Sequence, residues 1–368
     1  MEVPVSERLK SIREIIHDRN LDSFLVVNQE SSDALNLYYL TGFRCSLGAL
    51  IVTEKKETFL TDSRYIEAAR EKLGDRFDIE EVGGENRIRD FGEKIHRMGL
   101  NKVGLDTEKI SLRNYRILQE IAGNDIFKEL KGTVTNLRSI KDKYEIELQR
   151  KAAKITDKAL KETIESIKIG DTEKEVALKF EHILKNKGAS DIAFEPTVAS
   201  GNNSSRPHSE AGDKELREGE LLLFDLGANI EGYCSDMTRT VCLGTPTSKQ
   251  EKIYRTVLKA QTEALKNIKP GKKASEIDKI ARSIIEEAGY GEYFRHSVGH
   301  GVGLEVHEKP SLSADSDSVL RPNMVVTVEP GIYLPGWGGV RIEDIVLVTD
   351  EGYDKLNSFP KEELKNIY

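Results

Sequence analysis

Four carboxylates and one imidazole, each on an apolar run, stand in the C-terminal part of this 368-residue chain. They are Asp225, Asp236, His300, Glu329 and Glu343. Acidic side chains are rarely buried without a partner, because desolvating an isolated carboxylate is strongly unfavourable. The pattern therefore favours a fold that brings the five residues together around positive charge, and a pair of hard divalent cations is the natural occupant.

The first two aspartates flank a predicted β-hairpin. Asp225 ends one apolar run, Asp236 lies in another, and residues 229–232 (Asn-Ile-Glu-Gly) have the composition of a hairpin turn. With the turn centred between Ile230 and Glu231, the two aspartates face each other across the strands. Their Cβ atoms would lie roughly 5 Å apart, and like charges so close in an apolar setting need a proton or a cation between them.

A second acidic pair repeats this arrangement. One buried-strand pattern ends at Glu329 and is stopped by Pro-Gly, another covers residues 339–348, and a loop containing Gly and Pro joins them. Alternation along the second strand puts Arg341 and Glu343 on one face and turns Asp344 to the other. The pattern therefore predicts Glu343 as the metal ligand of this strand, and not Asp344.

His300 lies in a Gly-His-Gly segment, where the missing side chains allow a ligand to approach the imidazole closely; His296 precedes it and His307 follows it. The segments around these acids and histidines resemble the pita-bread metallopeptidases, in particular the Xaa-Pro branch that contains aminopeptidase P and prolidase. The matching segments are residues 225–236, 296–308, 329–333 and 339–344, together with 39–43 and 61–65 nearer the N-terminus. The resemblance thus extends over nearly the whole chain.

The resemblance implies an α/β and α+β chain, with an N-terminal α/β domain of the creatinase type followed by a catalytic pita-bread domain with pseudo-twofold symmetry. Helical patterns alternate with short apolar strands in the first part, which favours a mixed or parallel sheet. A long charged helix is predicted from 142 to 169. We place the domains at residues 1–131 and 132–368, and we expect the first to cap the site and to join two subunits in a homodimer.

By the same resemblance, Asp225 binds one metal ion, His300 and Glu329 bind a second, and Asp236 and Glu343 bridge the two. Oxygen ligands with a single imidazole favour Mn²⁺ or Co²⁺, with Fe²⁺ and Zn²⁺ as alternatives. Such a pair would hold a water molecule, lower its pKa and polarise the scissile carbonyl. Glu329 is the expected proton shuttle between that water and the leaving nitrogen.

Five residues around the metal pair are predicted to act on the substrate. His208, His296 and His307 would hydrogen-bond the substrate carbonyl and the developing oxyanion, whereas Tyr333 and Arg341 would orient this network. Four of these residues have an ordinary structural alternative. His208 would be a loop histidine, His307 a hydrogen-bonded core histidine, Tyr333 a packing residue, and Arg341 a counter-charge for the surplus carboxylates.

The resulting prediction is a dinuclear exopeptidase that cleaves the Xaa-Pro bond at the N-terminus of peptides. A dipeptidase must bind the free carboxylate directly after proline, and the bidentate geometry of arginine suits that task. Prolidases of this type commonly carry an arginine four residues after the position of His307, but Ser311 stands there in this chain. We therefore expect an Xaa-Pro aminopeptidase, although Lys309 or an arginine of the other domain could replace the missing cation.

Three other functions remain as alternatives. An Xaa-Pro dipeptidase has the same metal site, and a non-peptidase pita-bread protein, such as a creatinase-like hydrolase or a binding module, has typically lost several of the ligands. Methionine aminopeptidase generally lacks the N-terminal domain and spaces its last two acids more widely than Glu329 and Glu343.

Composition narrows the class of protein further. The net charge of −8 argues against a general nucleic-acid binder, and no apolar run approaches the roughly 20 residues that span a bilayer. Residues 1–20 have the pattern of an amphipathic helix and not of a signal peptide. Cys45, Cys234 and Cys242 follow no metal or disulfide spacing, which indicates a reduced, cytoplasmic protein.

Overall fold

The computed structural model describes residues 3–30, 32–84 and 86–367. The chain divides into two compact units, Met1–Arg138 and Ser139–Tyr368. This division comes after the boundary predicted at residue 131, because the short helix Thr133–Arg138 belongs to the first unit, where Arg138 donates a 2.8 Å hydrogen bond to Asn36. The turn at Gly132, with φ of 60°, precedes that helix and does not end the unit.

The first unit is an α/β layer. Its helices are α1 (Val5–Asp18), α2 (Ala34–Thr41), α3 (Ile66–Leu73), α4 (Arg87–Arg97), α5 (Leu112–Ala122) and α6 (Thr133–Arg138). Its strands are β1 (Ser23–Gln29), β2 (Leu47–Thr53), β3 (Glu57–Thr61), β4 (Asp78–Glu81), β5 (Val103–Asp106) and β6 (Phe127–Leu130). They form a mixed sheet in the order β4-β3-β2-β1-β5-β6, in which β1–β2 and β2–β3 are antiparallel and the other neighbours parallel. The predicted alternation of helices and apolar strands is confirmed.

Burial explains why this sheet forms. Strands β1 and β2 are apolar at successive positions because both of their faces are covered, the pattern typical of a sheet between helical layers. Leu25 and Val27 of β1 belong to one apolar cluster with Phe91 of α4 and Leu118 of α5. The amphipathic helices therefore supply the second half of the core of this unit.

The second unit is built from two helix pairs and a set of antiparallel strands. The helices are α7 (Lys143–Ser166), α8 (Glu173–Asn186), α9 (Ser248–Lys266) and α10 (Ala274–Glu287). Capping boxes begin α7, α8 and α9. The side chains of Asp142, Thr172 and Thr247 each accept a hydrogen bond from the backbone N–H three residues on, and the side chain of that later residue accepts one from the backbone N–H of the capping residue. The long charged helix predicted from 142 to 169 is found as α7, within a few residues of its expected ends.

Each helix pair of the second unit is followed by strands. The strands are β7 (Asp191–Ile192), β8 (Thr197–Ser200), β9 (Leu221–Leu226), β10 (Ala228–Ile230), β11 (Tyr233–Cys234), β12 (Met237–Cys242), β13 (Gly299–Gly301), β14 (Glu308–Leu312), β15 (Val325–Val328), β16 (Gly331–Leu334), β17 (Gly338–Arg341), β18 (Asp344–Val348) and β19 (Tyr353–Lys355). The sheets are β12-β9-β8, β11-β10-β7, β14-β13-β15-β18-β19 and β16-β17. Helices α9 and α10 share a large apolar cluster with Val326, Val328 and Val346, so the strands that carry the candidate ligands are anchored in the core.

In the described part of the chain, no helix combines the length and the apolar character needed to cross a bilayer.

Asp33, at the start of α2, gives a prediction about pH and stability. Burial raises the pKa of its carboxyl from 3.8 to about 8. The positive charges of Lys109 and Arg138 lower this pKa in part, and the negative charge of Asp106 raises it further. The folded state therefore binds a proton that the unfolded chain has already lost, and stability should fall as the pH rises from about 4 to 8. We expect Asp33→Asn to raise the melting temperature clearly at pH 8 and less at pH 5, as measured by calorimetry. An equal shift at both pH values would contradict a protonated Asp33.

Candidate metal centre

The first two acids lie on a β-hairpin whose register differs from the predicted one. Asp225 faces Thr238 across β9 and β12, so its partner lies two residues beyond the expected Asp236. The turn is centred on Glu231 and Gly232, which have positive φ values of 51° and 98°. A two-residue turn of this kind is the type I′ turn that suits the twist of a hairpin, and glycine at its second position fixes where it forms. The predicted face-to-face pairing of the two aspartates is therefore wrong.

The two aspartates nevertheless share a face, because a shift of two residues preserves the alternation of side chains along a strand. Asp236 lies in the break between β11 and β12, across the hairpin from Gly227. At Gly227 a Cβ atom would stand 2.2 Å from the carbonyl oxygen of Ser235, so only glycine fits this close approach of the two strands. Asp236 is 4% exposed and lines the same cavity as Asp225.

The other three candidate ligands come from the second half of the unit. His300 is the central residue of β13, Glu329 directly follows β15, and Glu343 lies between β17 and β18. The His300 Nε2 atom is 3.1 Å from Glu329 Oε1 and 3.7 Å from Asp236 Oδ2. One ligand atom each of Asp236, His300 and Glu343 lies within 4.8 Å of the other two. Residues far apart in the sequence are thus brought together at the spacing of a metal site.

Two carboxylate oxygens of this cluster test whether a cation fits. Asp225 Oδ1 and Glu343 Oε1 are buried and have no hydrogen-bond partner among the described residues. Burial raises the pKa of Asp225, and it raises the pKa values of Asp236 and Glu343 well above their usual range, with neighbouring carboxylates adding to the last two shifts. A divalent metal ion would contact the oxygens that lack donors and would neutralise the carboxylate charges that burial makes unfavourable. The donor set therefore fits the predicted metal ions.

Glu329 behaves differently from the other acids of the cluster. Burial alone would oppose its ionisation, but the hydrogen bond from His300 and the charge of that ring outweigh burial and lower the pKa of Glu329 to about 2. The same contact raises the pKa of His300 in spite of its burial. Glu329 is therefore ionised at neutral pH before any cation binds.

Arg341 organises one side of the cavity, and all of its donor nitrogens are engaged. Its Nη2 atom lies 2.5 Å from Asp225 Oδ2, its Nη1 donates to the Tyr333 hydroxyl at 2.9 Å, and its Nε donates to Thr238 Oγ1 at 2.9 Å. The Tyr333 hydroxyl is also 3.0 Å from Nε2 of His296, and burial raises the pKa of this tyrosine to about 12. Arg341, Tyr333 and His296 thus form one hydrogen-bonded chain that ends on a candidate ligand.

His208, His296 and His307, the three outer histidines, line a cavity of about 1160 Å³. The five candidate ligands line the same cavity. The ring of His307 lies against that of His300, with centroids 4.1 Å apart and planes inclined by 40°. His208 is exposed and lies in the loop that precedes β9. Tyr333 is not part of the cavity wall and reaches the site through Arg341 and His296.

Two threonines of the site were missed by sequence reasoning. Thr238 donates a 2.7 Å hydrogen bond to Glu343 Oε2, and Thr327 donates to Glu329 Oε1 at 3.3 Å and accepts from the His300 amide at 3.1 Å. Thr238 lies two residues after Asp236, and Thr327 lies two residues before Glu329. Since residues two apart share a face of a strand, the alternation that selected Glu343 could also have identified these hydroxyls.

Asp344, which the alternation turned away from the site, lies in a separate buried ion network. Its carboxylate is paired with Arg239 at 2.8 Å and with Lys361, and it accepts hydrogen bonds from Gln261 and Asn357. The two cations hold the pKa of Asp344 well below its usual range, although burial opposes them. Neighbouring acids of one chain segment are thus stabilised in two different ways.

Comparison with known proteins connects this site to a family. The model of metallopeptidase family M24 matches residues 147–350, and the model of the creatinase and prolidase N-terminal domain matches residues 8–140. Both matches agree with the resemblance identified in the sequence.

Individual relatives extend the match over almost the full chain. An Xaa-Pro dipeptidase from Pyrococcus horikoshii is 39% identical over 362 residues, which are 97% of this chain and 99% of the relative. The structure of an Xaa-Pro dipeptidase from Bacillus anthracis has a TM-score of 0.91 at 37% identity and covers 98% of this chain and 99% of its own. An X-Pro aminopeptidase from Thermotoga maritima has a TM-score of 0.87 at 38% identity, with coverage of 93% and 97%. The predicted fold, a creatinase-type domain followed by a pita-bread catalytic domain, is confirmed.

We expect asparagine substitutions at two buried aspartates, Asp236 and Asp344, to have opposite effects on stability. Asp236 has Glu343 and Asp225 as neighbours, so Asp236→Asn should raise the melting temperature of the chelator-treated protein and abolish the further rise on adding Mn²⁺. Asp344→Asn leaves Arg239 and Lys361 without their counter-charge and should destabilise the protein by about 3–5 kcal/mol. Calorimetry with and without Mn²⁺, together with elemental analysis, measures both. A lower melting temperature of metal-free Asp236→Asn would contradict the proposed repulsion.

Proposed function

This chain belongs to metallopeptidase family M24, and we propose that it hydrolyses the bond between an N-terminal residue and proline with the help of two divalent metal ions. The observation that carries the proposal is the pair of buried oxygens without donors, Asp225 Oδ1 and Glu343 Oε1, in the same cavity as Asp236 and His300. No donor among the described residues reaches these oxygens, which supports a bound cation as their partner.

The five acidic and imidazole ligands would hold the ions, which when bound polarise a carbonyl and lower the pKa of a water molecule. The protein fixes the ligands beforehand. Thr238 occupies Oε2 of Glu343 and leaves Oε1 without a donor, while Arg341 occupies Oδ2 of Asp225 and leaves Oδ1. Each carboxylate therefore keeps one oxygen for the cation, with its orientation set by a hydrogen bond to the other.

Glu329 is suited to move the proton that this reaction requires. Its carboxylate is ionised at neutral pH because His300 lowers its pKa, so it can accept a proton from a water molecule. The leaving nitrogen belongs to the proline ring, carries no hydrogen in the peptide and must receive a proton to leave as an amine. Glu329 would supply that proton, while His208 and His307 would donate hydrogen bonds to the oxygen of the scissile carbonyl. Both ring nitrogens of His296 are already hydrogen-bonded within the protein, so we propose that His296 orients Tyr333 and Arg341 instead.

Dipeptides are the substrate class that the relatives favour. The relatives from Pyrococcus horikoshii and Bacillus anthracis are both named Xaa-Pro dipeptidases, so we propose a dipeptidase in place of the aminopeptidase expected from the sequence. A second candidate, an Xaa-Pro aminopeptidase, is favoured by Ser311. Ser311 faces the ligand His300 across β13 and β14 and lines the cavity, and it offers no charge to a substrate carboxylate.

Two further expectations remain proposals of the same kind. Mn²⁺ or Co²⁺ is the metal that the oxygen-rich ligand set would favour. A homodimer is expected from the family resemblance, and light scattering against the chain mass of 41.3 kDa tests it.

The outer histidines give the first functional prediction. If His208 and His307 stabilise charge in the transition state, alanine at either position should lower kcat by about 10²-fold while the bound Mn²⁺ stays at the wild-type level. Stopped assays on an Xaa-Pro dipeptide and elemental analysis measure the two quantities. His182→Ala, an exposed histidine on α8, is the control and should leave both unchanged. Loss of metal in His307→Ala would instead place that residue among the ligands.

Substrate length gives the second functional prediction. We expect a higher kcat/KM for Ala-Pro than for Ala-Pro-Ala, as for a dipeptidase. Ser311→Arg should raise kcat/KM for Ala-Pro by roughly tenfold and leave the tripeptide unchanged, because only the dipeptide carboxylate gains a charge-assisted hydrogen bond. Ser311→Gln adds bulk without charge and is the control. A wild-type preference for the tripeptide would make the enzyme an aminopeptidase and overturn the dipeptidase assignment.

A further inference from the structure

We infer that Glu308 is a positioning residue for His307, and that the buried ammonium of Lys141 keeps the Glu308 carboxylate in place. The inference rests on the proposed function, because His307 is placed there as a residue that acts on the substrate. It adds to that function a pair of residues that the mechanism does not otherwise use.

The Lys141–Glu308 ion pair is almost completely removed from water. The Nζ atom of Lys141 is 3.3 Å from Oε2 of Glu308, and the two side chains are 0% and 1% exposed. A pair buried to this extent adds little net stability, because the desolvation of both charges offsets their attraction. The small stability of the ion pair does not explain why the Glu308 carboxylate is buried there. The contacts of the second carboxylate oxygen give a reason.

The second oxygen of Glu308 holds the loop that carries His307. Oε1 of Glu308 accepts a 3.0 Å hydrogen bond from the backbone N–H of Glu305. Within the same loop, the N–H of Gly303 donates to the carbonyl of Glu305 at 2.9 Å. A Cβ atom at Gly303 would lie 2.5 Å from Oε2 of Glu308, so the loop closes directly over the carboxylate. The short segment from Gly303 to His307 is thus folded around one charged group.

The ring of His307 depends on this loop for its position. Among the described residues, no side-chain hydrogen bond orients the imidazole of His307. Its ring lies against that of His300, with the two ring centroids 4.1 Å apart. By comparison, His296 is fixed at both ring nitrogens, by the Ser297 carbonyl and the Tyr333 hydroxyl. The backbone of the 303–307 loop must therefore set the direction of His307. Glu308 orders this backbone together with the N–H of Cys234, which donates to the Gly303 carbonyl at 2.8 Å.

A purely structural role for the pair is the alternative, and paired substitutions separate the two. Lys141→Met with Glu308→Gln and Lys141→Met with Glu308→Met both remove the two charges at similar volume. The amide oxygen of glutamine can still accept from the Glu305 N–H, whereas methionine cannot. We expect the glutamine form to keep kcat on Ala-Pro within about threefold of the wild type and the methionine form to lose tenfold or more, with KM and bound Mn²⁺ unchanged in both.

A double-mutant cycle then asks whether the effect passes through His307. On the His307→Ala background the difference in kcat between the glutamine and methionine forms should vanish, because the positioned group is gone. Melting temperatures are recorded for each variant, and assays are run well below the lowest of them. Asp157→Ala is the control for lost stability. This buried carboxylate accepts from Ser358 and Phe359 away from the cavity, so its replacement should lower the melting temperature and leave kcat unchanged.

The outcomes separate this inference from the function on which it rests. A metal-loaded wild type without Xaa-Pro hydrolysis overturns the proposed function, and the inference with it. An active wild type in which the glutamine and methionine forms have equal kcat overturns only the inference. A difference that persists without His307 does the same, because it would mean that the pair acts on the fold and not on the histidine.

Discussion

The cost of burying carboxylate oxygens that lack donors is the constraint on which the second unit depends. Asp225, Asp236 and Glu343 are held where burial and mutual repulsion disfavour their charges. Such a cluster persists only if the surrounding structure is stable enough to carry it, and the ligand strands here are anchored in the apolar core shared with α9 and α10. We propose that a cation bound here would stabilise the fold, since it would remove the repulsion that the core must otherwise withstand.

Strand alternation decides which buried acid becomes a candidate ligand and which joins a buried ion network. Glu343 and Asp344 are adjacent, yet one enters a cluster of acids and the other pairs with Arg239 and Lys361. The carboxylate of Asp344, on β18, is compensated by Arg239 and Lys361, so the uncompensated charge is confined to the face that lines the cavity. A single change of face along the strand separates the chemistry from its support.

This division also explains what could be predicted from the sequence. The helices, the ligand strands and the choice of Glu343 over Asp344 follow from periodicity, which depends on local alternation. The register of the Asp225 hairpin was missed because one positive-φ turn at Glu231 and Gly232 decides it, and the composition of the segment 229–232 allowed two positions for that turn. The chains of contacts through Tyr333, Thr238 and Lys141 join residues distant in sequence, so they became visible only with the fold.

The residues proposed to select the substrate lie at the wall of the cavity, outside the buried cluster of acids. The candidate ligands are on or next to strands rooted in the core, whereas His208, His307 and Ser311 stand on loops or on β14 at the cavity wall. A change at these positions alters the space and charge offered to a peptide without disturbing the buried acids. One metal scaffold can therefore serve dipeptidases and aminopeptidases, which is consistent with relatives of both names at nearly the same identity to this chain. We propose accordingly that a few cavity-wall residues, and not the buried cluster, set the length of the substrate.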